Sequence, residues 1–300
     1  MSVTSLTKYG RDATIPASGT NVSVSFEIDT ESSILAVYFV MTDNTNGSIV
    51  QWNQWGNGVI NAGHGTKSNL AQNLTLENCY LMSTLYSAGS PFEASTNINE
   101  ASEAACLTLP LAPLSFARVN KNFSEYSLGM NNTKRLTVSF TGLSGGTNTQ
   151  TLKAYALTVD ELKTPSTNYM RILSNTETVT SGSLTSTISL SASANSRLNA
   201  IVFSQGAGGA TAVPIVHIRD NNSNDYVNAP SILCRKANIN LGGNAISNPP
   251  LGGNAFIWNF NAENTVNGGI ASDISTSFTI DISGLSGTSL TYSYAEMVGR

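Results

Sequence analysis

Two stretches of this chain end in the same way, and that repetition is the strongest limit on its fold. Residues 136–145 read LTVSFTGLSG and residues 278–287 read FTIDISGLSG. Five of the ten positions are identical, and Leu136, Val138 and Phe140 match Phe278, Ile280 and Ile282. With three residues dropped after the motif, Tyr155-Ala156-Leu157-Thr158-Val159 aligns with Tyr294-Ala295-Glu296-Met297-Val298. The beginnings also agree. Ser18-Gly19 precedes VSVSFEID and ILAVYF, and Ser181-Gly182 precedes TSTISLSA and LNAIVF. Ala36 and Phe39 then match Ala200 and Phe203. The common order of these matches implies a tandem duplication.

Each copy reads as β. In VSVSFEI, Val22, Val24, Phe26 and Ile28 alternate with Ser23, Ser25 and Glu27, the period of a half-buried strand. ILAVYFVM is continuously apolar, as in a strand covered on both faces. Each GLSG lies between two such strands, so each copy is expected to close with a hairpin, Gly supplying the positive φ of a tight turn. DNTNG (43–47), DNNSND (220–225) and NPPLGGN (248–254) are further turns. Many short strands between Gly/Asn turns predict an all-β fold of sandwiches or barrels.

One segment, EASTNINEASEAACL (93–107), predicts a short helix inserted in the first copy, capped by Ser95 or Thr96 and followed by Pro110. The second copy has no equally clear helix. DELKTPSTNYM (160–170) is the most polar stretch between the copies, with Pro165 as a stop. The expected organisation is an N-terminal arm at 1–14, a first sandwich at 15–162, a linker at 163–165 and a second sandwich at 166–300.

Composition narrows the function. Charged residues are 11% of the chain, against roughly 25% in an average soluble domain, and Ser, Thr and Asn fill the gap. A net charge of −4 with 15 Lys plus Arg argues against a large nucleic-acid surface. No apolar run has signal-peptide or membrane-span length, so secretion by that route and a membrane span are not expected. Cys79, Cys106 and Cys234 match no metal or redox spacing and read as small buried residues.

No residues form a clear catalytic set, and no cofactor or metal is implied. His64 lies in a Gly-rich loop, and His217 lies in a strand opposite Val216 and Ile218. The GxSxG elbow is absent. Asp43, Asp160-Glu161 or Asp225 are weak calcium candidates. DNNSND starts like an EF-hand loop, but Asp225 stands where Gly is needed and Ser231 where Glu belongs. The Gly206–Gly209 stretch lacks a phosphate-loop Lys. Arg235-Lys236 and Lys134-Arg135 read as loop ends or subunit contacts. Trp52, Trp55 and Trp258 stand near Asn and Gln, as in sugar-stacking platforms. The competing reading puts Trp52 in the core and Trp55 over a barrel end.

A tandem β protein without catalytic groups acts through its surface. Neutral Ser, Thr and Asn avoid the desolvation cost of burying charge at interfaces, whose cores are poor in charge. The tandem copies, the GLSG repeat and the length resemble the double jelly-roll major capsid proteins of tailless icosahedral bacteriophages and their archaeal and adenovirus relatives. The resemblance covers roughly residues 15–300. It implies two tandem jelly-roll-like β-sandwich barrels, homotrimeric pseudo-hexagonal capsomers and an icosahedral shell. It also implies contacts with other capsid proteins, an internal membrane or a host receptor, and assembly of the virion in the host cytoplasm. A basic internal arm is reduced to Lys8 and Arg11. The rival function is a tandem carbohydrate-binding module or receptor-binding spike that uses the three Trp residues. An enzyme is the least supported class.

Overall fold

The chain was analysed as a computed structural model that describes residues 3–65, 67–86, 106–112, 128–130, 135–160, 169–190, 196–205, 213–240, 255–261 and 268–298. The first half contains β1 (Val3–Ile15), β2 (Val22–Asp29), β3 (Ser33–Asp43), β4 (Ile49–Val50), β5 (Gly56–His64) and β6 (Lys67–Thr75). Helix α1 (Leu76–Tyr86), β7 (Leu107–Pro110), β8 (Arg135–Leu143) and β9 (Gln150–Asp160) complete it. The second half contains β10 (Tyr169–Thr178), β11 (Ser183–Ser189), β12 (Arg197–Phe203), β13 (Ile215–Asp220) and β14 (Asp225–Pro230). Helix α2 (Ser231–Asn240), β15 (Phe256–Asn259), β16 (Ile270–Ala271), β17 (Ser277–Ser283) and β18 (Ser289–Val298) follow.

The two halves have one topology. In the first, β1-β9-β3-β7 form one sheet and β2-β8-β5-β6 the other, with β4 a short addition to β3. In the second, β10-β18-β12-β15 face β11-β17-β13-β14, with β16 added to β12. Each half is therefore an eight-stranded jelly roll, two interleaved antiparallel sheets over one core. The sheets join across the halves. β6 lies parallel to β10, with Ala71 opposite Ile172 and Gln72 opposite Leu173, which makes one nine-stranded sheet.

Alternation places the cores. Phe26 from β2, Phe39 from β3 and Phe140 from β8 meet in the first sandwich, Phe39 and Phe140 edge to face at 4.7 Å. Phe278, Ile280 and Ile282 of β17 occupy the matching strand in the second, where Phe203 stacks on Phe256 at 4.9 Å. β3 is buried over most of its length, as its continuous apolar run requires.

The structure bears on four sequence expectations. GLSG does not make a hairpin: β8 pairs with β2 and β5, whereas β9 pairs with β1 and β3. β17 and β18 part between sheets in the same way. The motif carries the chain from one sheet to the other, and Gly142 and Gly284 turn it at φ +78° and +75°. Each GLSG segment meets its own Ser-Gly pair: Gly145 N–H donates to Gly19 O and Leu285 N–H to Gly182 O. Ser18 and Ser181 are both left-handed, at φ 55° and 51°.

The expected arm is also different, because residues 3–15 are strand β1, paired along β9. The helix expected at 93–107 falls on residues 93–105, outside the described residues, and on Leu107, which begins β7. A helix sits earlier, at α1, and the second half has its own in α2, each directly after the fifth long strand of its half. Thr75 Oγ accepts the N–H of Asn78, an N-cap that starts α1, and Glu77 suits its first turn. α1 is buried almost all round, so it carries no amphipathic period.

The repeat register after GLSG differs by one residue. Ala36 opposes Leu157 and Ala200 opposes Ala295, so Tyr155 matches Ser293 rather than Tyr294. Ala154 matches Tyr292, while Phe26 matches Ser186 through their shared partner strand. Large and small have changed places: the second core puts Tyr292 where the first has Ala154. Tyr292 Oη lies 2.8 Å from Ser186 Oγ, a volume-conserving exchange between facing sheets.

Candidate functional site

Among the described residues, His217, Asp220 and Asp43 lie apart on the fold and are held by structural hydrogen bonds. His217 lies on the outer face of β13, its Nε2 2.6 Å from Asp225 Oδ1. His64 is buried at the end of β5. Asp220 is held by its own loop. Its Oδ1 accepts the N–H groups of Asn222 (2.8 Å) and Asn224 (2.9 Å). Its Oδ2 accepts from Asn224 Nδ2 (2.8 Å) and Tyr226 Oη (3.0 Å). Burial alone raises the Asp220 pKa, but these bonds outweigh it and hold the carboxyl below its usual range. Asp43 is likewise lowered, by Asn148 Nδ2 first and then by the N–H of Thr45. Both loops are turns closed by an Asp side chain. Among the described residues no three His, Cys, Asp or Glu groups gather as a metal would need.

Trp55 is 0% exposed and its Nε1–H donates to Val50 O at 2.9 Å. Trp52 is buried and stacks on Tyr80 of α1 at 4.8 Å. Neither ring has a face open to a sugar. Trp258 is half-buried on β15 against the second core, far in sequence and in sheet order from the other two. Cys79 and Cys234 are buried thiols outside any disulfide. Cys79 Sγ donates to Thr108 O, burial pushes its thiol up, and burial raises Cys234 to about 11. Both are therefore protonated near neutral pH. Cys79 and Cys234 fill matching places in α1 and α2, a repeat match that sequence alignment missed because the flanking residues ENCYL and ILCRK have little in common. Of the basic pairs, Arg135 is bound by Asp29 at 2.9 Å and Glu27 at 3.4 Å, Lys134 lies outside the described residues, and Arg235-Lys236 lies in α2.

What the fold does build is a junction between its halves. Along it, β6 pairs with β10 and α1 covers the outer face of the β10-β18-β12-β15 sheet. Asn78 Nδ2 donates to Thr291 O (3.1 Å) and Ser293 Oγ (2.9 Å) on β18. Ile172, Ala200, Val202, Ile257, Ala295 and Met297 turn away from the second core and join the first. At the end of the second core, Arg171 Nε donates to the buried Glu296 carboxylate at 2.6 Å, an ion pair across β10 and β18 that no sequence pattern signalled. The opposite edges carry no such partner strand. Among the described residues β1 is paired only with β9, and β14 only with β13. Large apolar side chains are exposed there: Leu6 on β1, and Ile215, Ile232 and Leu233 around β14 and α2.

This architecture, two jelly rolls of one topology in a single chain, defines the double jelly-roll class of β protein. No family model matches the chain, and no curated protein matches it in sequence. Solved structures do. The major capsid protein P2 from bacteriophage PM2 is similar over 99% of this chain and 98% of its own, with a TM-score of 0.67 at 11% identity. The atomic structure of Sulfolobus Turreted Icosahedral Virus contains a chain similar over 98% of this one and 90% of its own, at TM-score 0.59 and 10% identity. The crystal structure of the STIV MCP covers 99% and 97%, at TM-score 0.57 and 11% identity. The double jelly-roll fold of these capsid proteins is the fold of this chain.

Proposed function

We propose that this chain is a structural protein of a virion, the major capsid protein, and that it assembles as homotrimeric capsomers into an icosahedral shell. The observation that carries this reading is the whole-chain likeness to capsid proteins, with both sandwiches matched in tandem. Two sandwiches per chain put six around a threefold axis, a pseudo-hexagon that tiles a closed surface. The linker between them would be residues 163–165, which in sequence fall between β9 and β10. The role is mechanical rather than enzymatic: many modest contacts, multiplied by symmetry, hold the shell. Its partners are copies of itself, other capsid proteins, and a membrane beneath or a receptor outside the shell. Its place is the virion, put together in the host cytoplasm.

Low charge fits this role. Few of the surface groups would lose water-solvated charge when neighbours cover them. The test is the mass of the purified protein in solution, followed by electron microscopy of its particles. A mass of three 31.6 kDa chains and hexagonal arrays are expected. A monomer that stays monomeric at high concentration and never enters particles would overturn the reading.

A further inference from the structure

The junction inside the chain is a template for one between chains. Sheet register gives the counterparts. Leu6 faces Leu157 as Ile172 faces Ala295, and Leu157 and Ala295 are matched through Ala36 and Ala200. Leu6 therefore stands where Ile172 stands, and Thr7 where Leu173 stands. On the other side, Ala71 faces Ala62 as Val227 faces Ile218, and these are matched through Val138 and Ile280. Val227 thus corresponds to Ala71, and Asn228 follows it as Gln72 follows Ala71, β6 having one extra residue at a bulge before Leu74. In the same way Leu74 corresponds to Ala229, which makes Leu233 of α2 the counterpart of Asn78 in α1.

These counterparts differ in cover, and at the helix also in chemistry, an apolar Leu233 standing where Asn78 makes its hydrogen bonds. Ile172 is 1% exposed because the first half lies against it, whereas Leu6 is 61% exposed. Asn78 is 1% exposed against β18, whereas Leu233 is 54% exposed. Both ends of a junction are present on the chain, complementary and uncovered. An unpaired strand edge is a template for another chain, and large exposed apolar groups mark where one sits.

We propose that β14 and α2 of one copy dock on β1 and β9 of the next in the geometry by which β6 and α1 dock on β10 and β18. Val227 then lies opposite Leu6 of the next copy and Asn228 opposite its Thr7, in parallel. Leu233 lands on the outer face of β9 beside Tyr155, the counterpart of Ser293. Pro230 has no N–H to donate and ends the ladder, which keeps the pairing as short as the internal one. The contact is heterologous, head to tail, so it makes a ring when the rotation closes. Internal and external junctions alternate around that ring, and three chains give six. This interface rests on the assembly proposed above and specifies its residues.

The test is a cysteine pair in the full chain. Thr7→Cys with Asn228→Cys, exposed to oxidised glutathione, is expected to give covalent dimers and trimers that vanish on reduction. Each single variant, and Asn228→Cys with Ile49→Cys, is expected to give none. Registered strand partners sit within the Cα separation a disulfide needs. As a second arm, Leu6→Asp is expected to keep the wild-type circular dichroism and to lose assembly, because Leu6 is exposed in the single chain. A wild-type mass of three chains without any Thr7–Asn228 cross-link, or a Leu6→Asp variant that assembles normally, would overturn this interface and leave the capsid reading standing. A wild-type protein that remains a monomer throughout would overturn both.

Discussion

At the scale of residues, burial decided the role of Trp55 and hydrogen bonding that of Asp220. Trp55 is enclosed and gives its indole N–H to Val50 O, so it is a core residue with a satisfied side-chain donor. Trp55→Ala is expected to cost about 3–5 kcal/mol, as large aromatic truncations do, read from the midpoint of chemical denaturation. An unchanged midpoint would show that the ring is dispensable. Asp220 gives a pH dependence with a definite sign. Its folded pKa is lowered, so its contribution is complete above the unfolded value of about 3.9 and is lost as pH falls through the folded value. Asp220→Asn is therefore expected to be less stable than wild type near pH 6, with the gap closing as pH falls below the unfolded value of about 3.9. A gap that stays constant across that range would contradict the assignment. Neither result was legible in the sequence, where the same loop looked like an incomplete calcium site.

At the scale of elements, β1 and the GLSG crossings carry the lesson. Residues 1–14 look like an arm because VTSLTKYGRDAT has few large apolar side chains. An edge strand needs few, since one of its sides is left to solvent or to a neighbour. Deleting residues 1–12 is expected to lower Tm by at least ~4 °C, because β9 loses a partner along most of its length. A deletion that leaves Tm unchanged while blocking assembly would mark an arm instead. The strands themselves were readable from their alternation. Their partners were not, because GLSG between two strands is compatible with a hairpin or with a crossing between sheets. Gly142 cannot carry a Cβ cheaply in either case: it is left-handed, and a Cβ would lie 3.0 Å from Asn57 O.

At the scale of the whole molecule, the two sandwiches are not independent. The first core runs through α1 into the outer face of the second half, reaching Ile172, Val202, Ile257, Ala295 and Met297. Separating the halves would expose these side chains, at about 25 cal/mol for each Å² of apolar surface uncovered. Scanning calorimetry is expected to show one unfolding transition for the full chain. Two well-separated transitions would show that the shared core adds little.

By itself the sequence determined the β class, the tandem duplication and the strands that alternate. Those are local or composition-level properties: period-two burial is written within each strand, and GLSG is written twice. The tertiary structure alone decided which strands pair, that Tyr155 and Ser293 rather than the two tyrosines correspond, and that helices stand at 76–86 and 231–240. It also decided that Trp52 and Trp55 face inward. Each of these depends on residues far apart in the chain, such as Ala154 with Phe26 against Tyr292 with Ser186. A helix surrounded by neighbours loses the periodic signal that would announce it. Strand pairing is a choice among distant partners, made by the volume and hydrogen bonds of a core that exists only once the sheets have met.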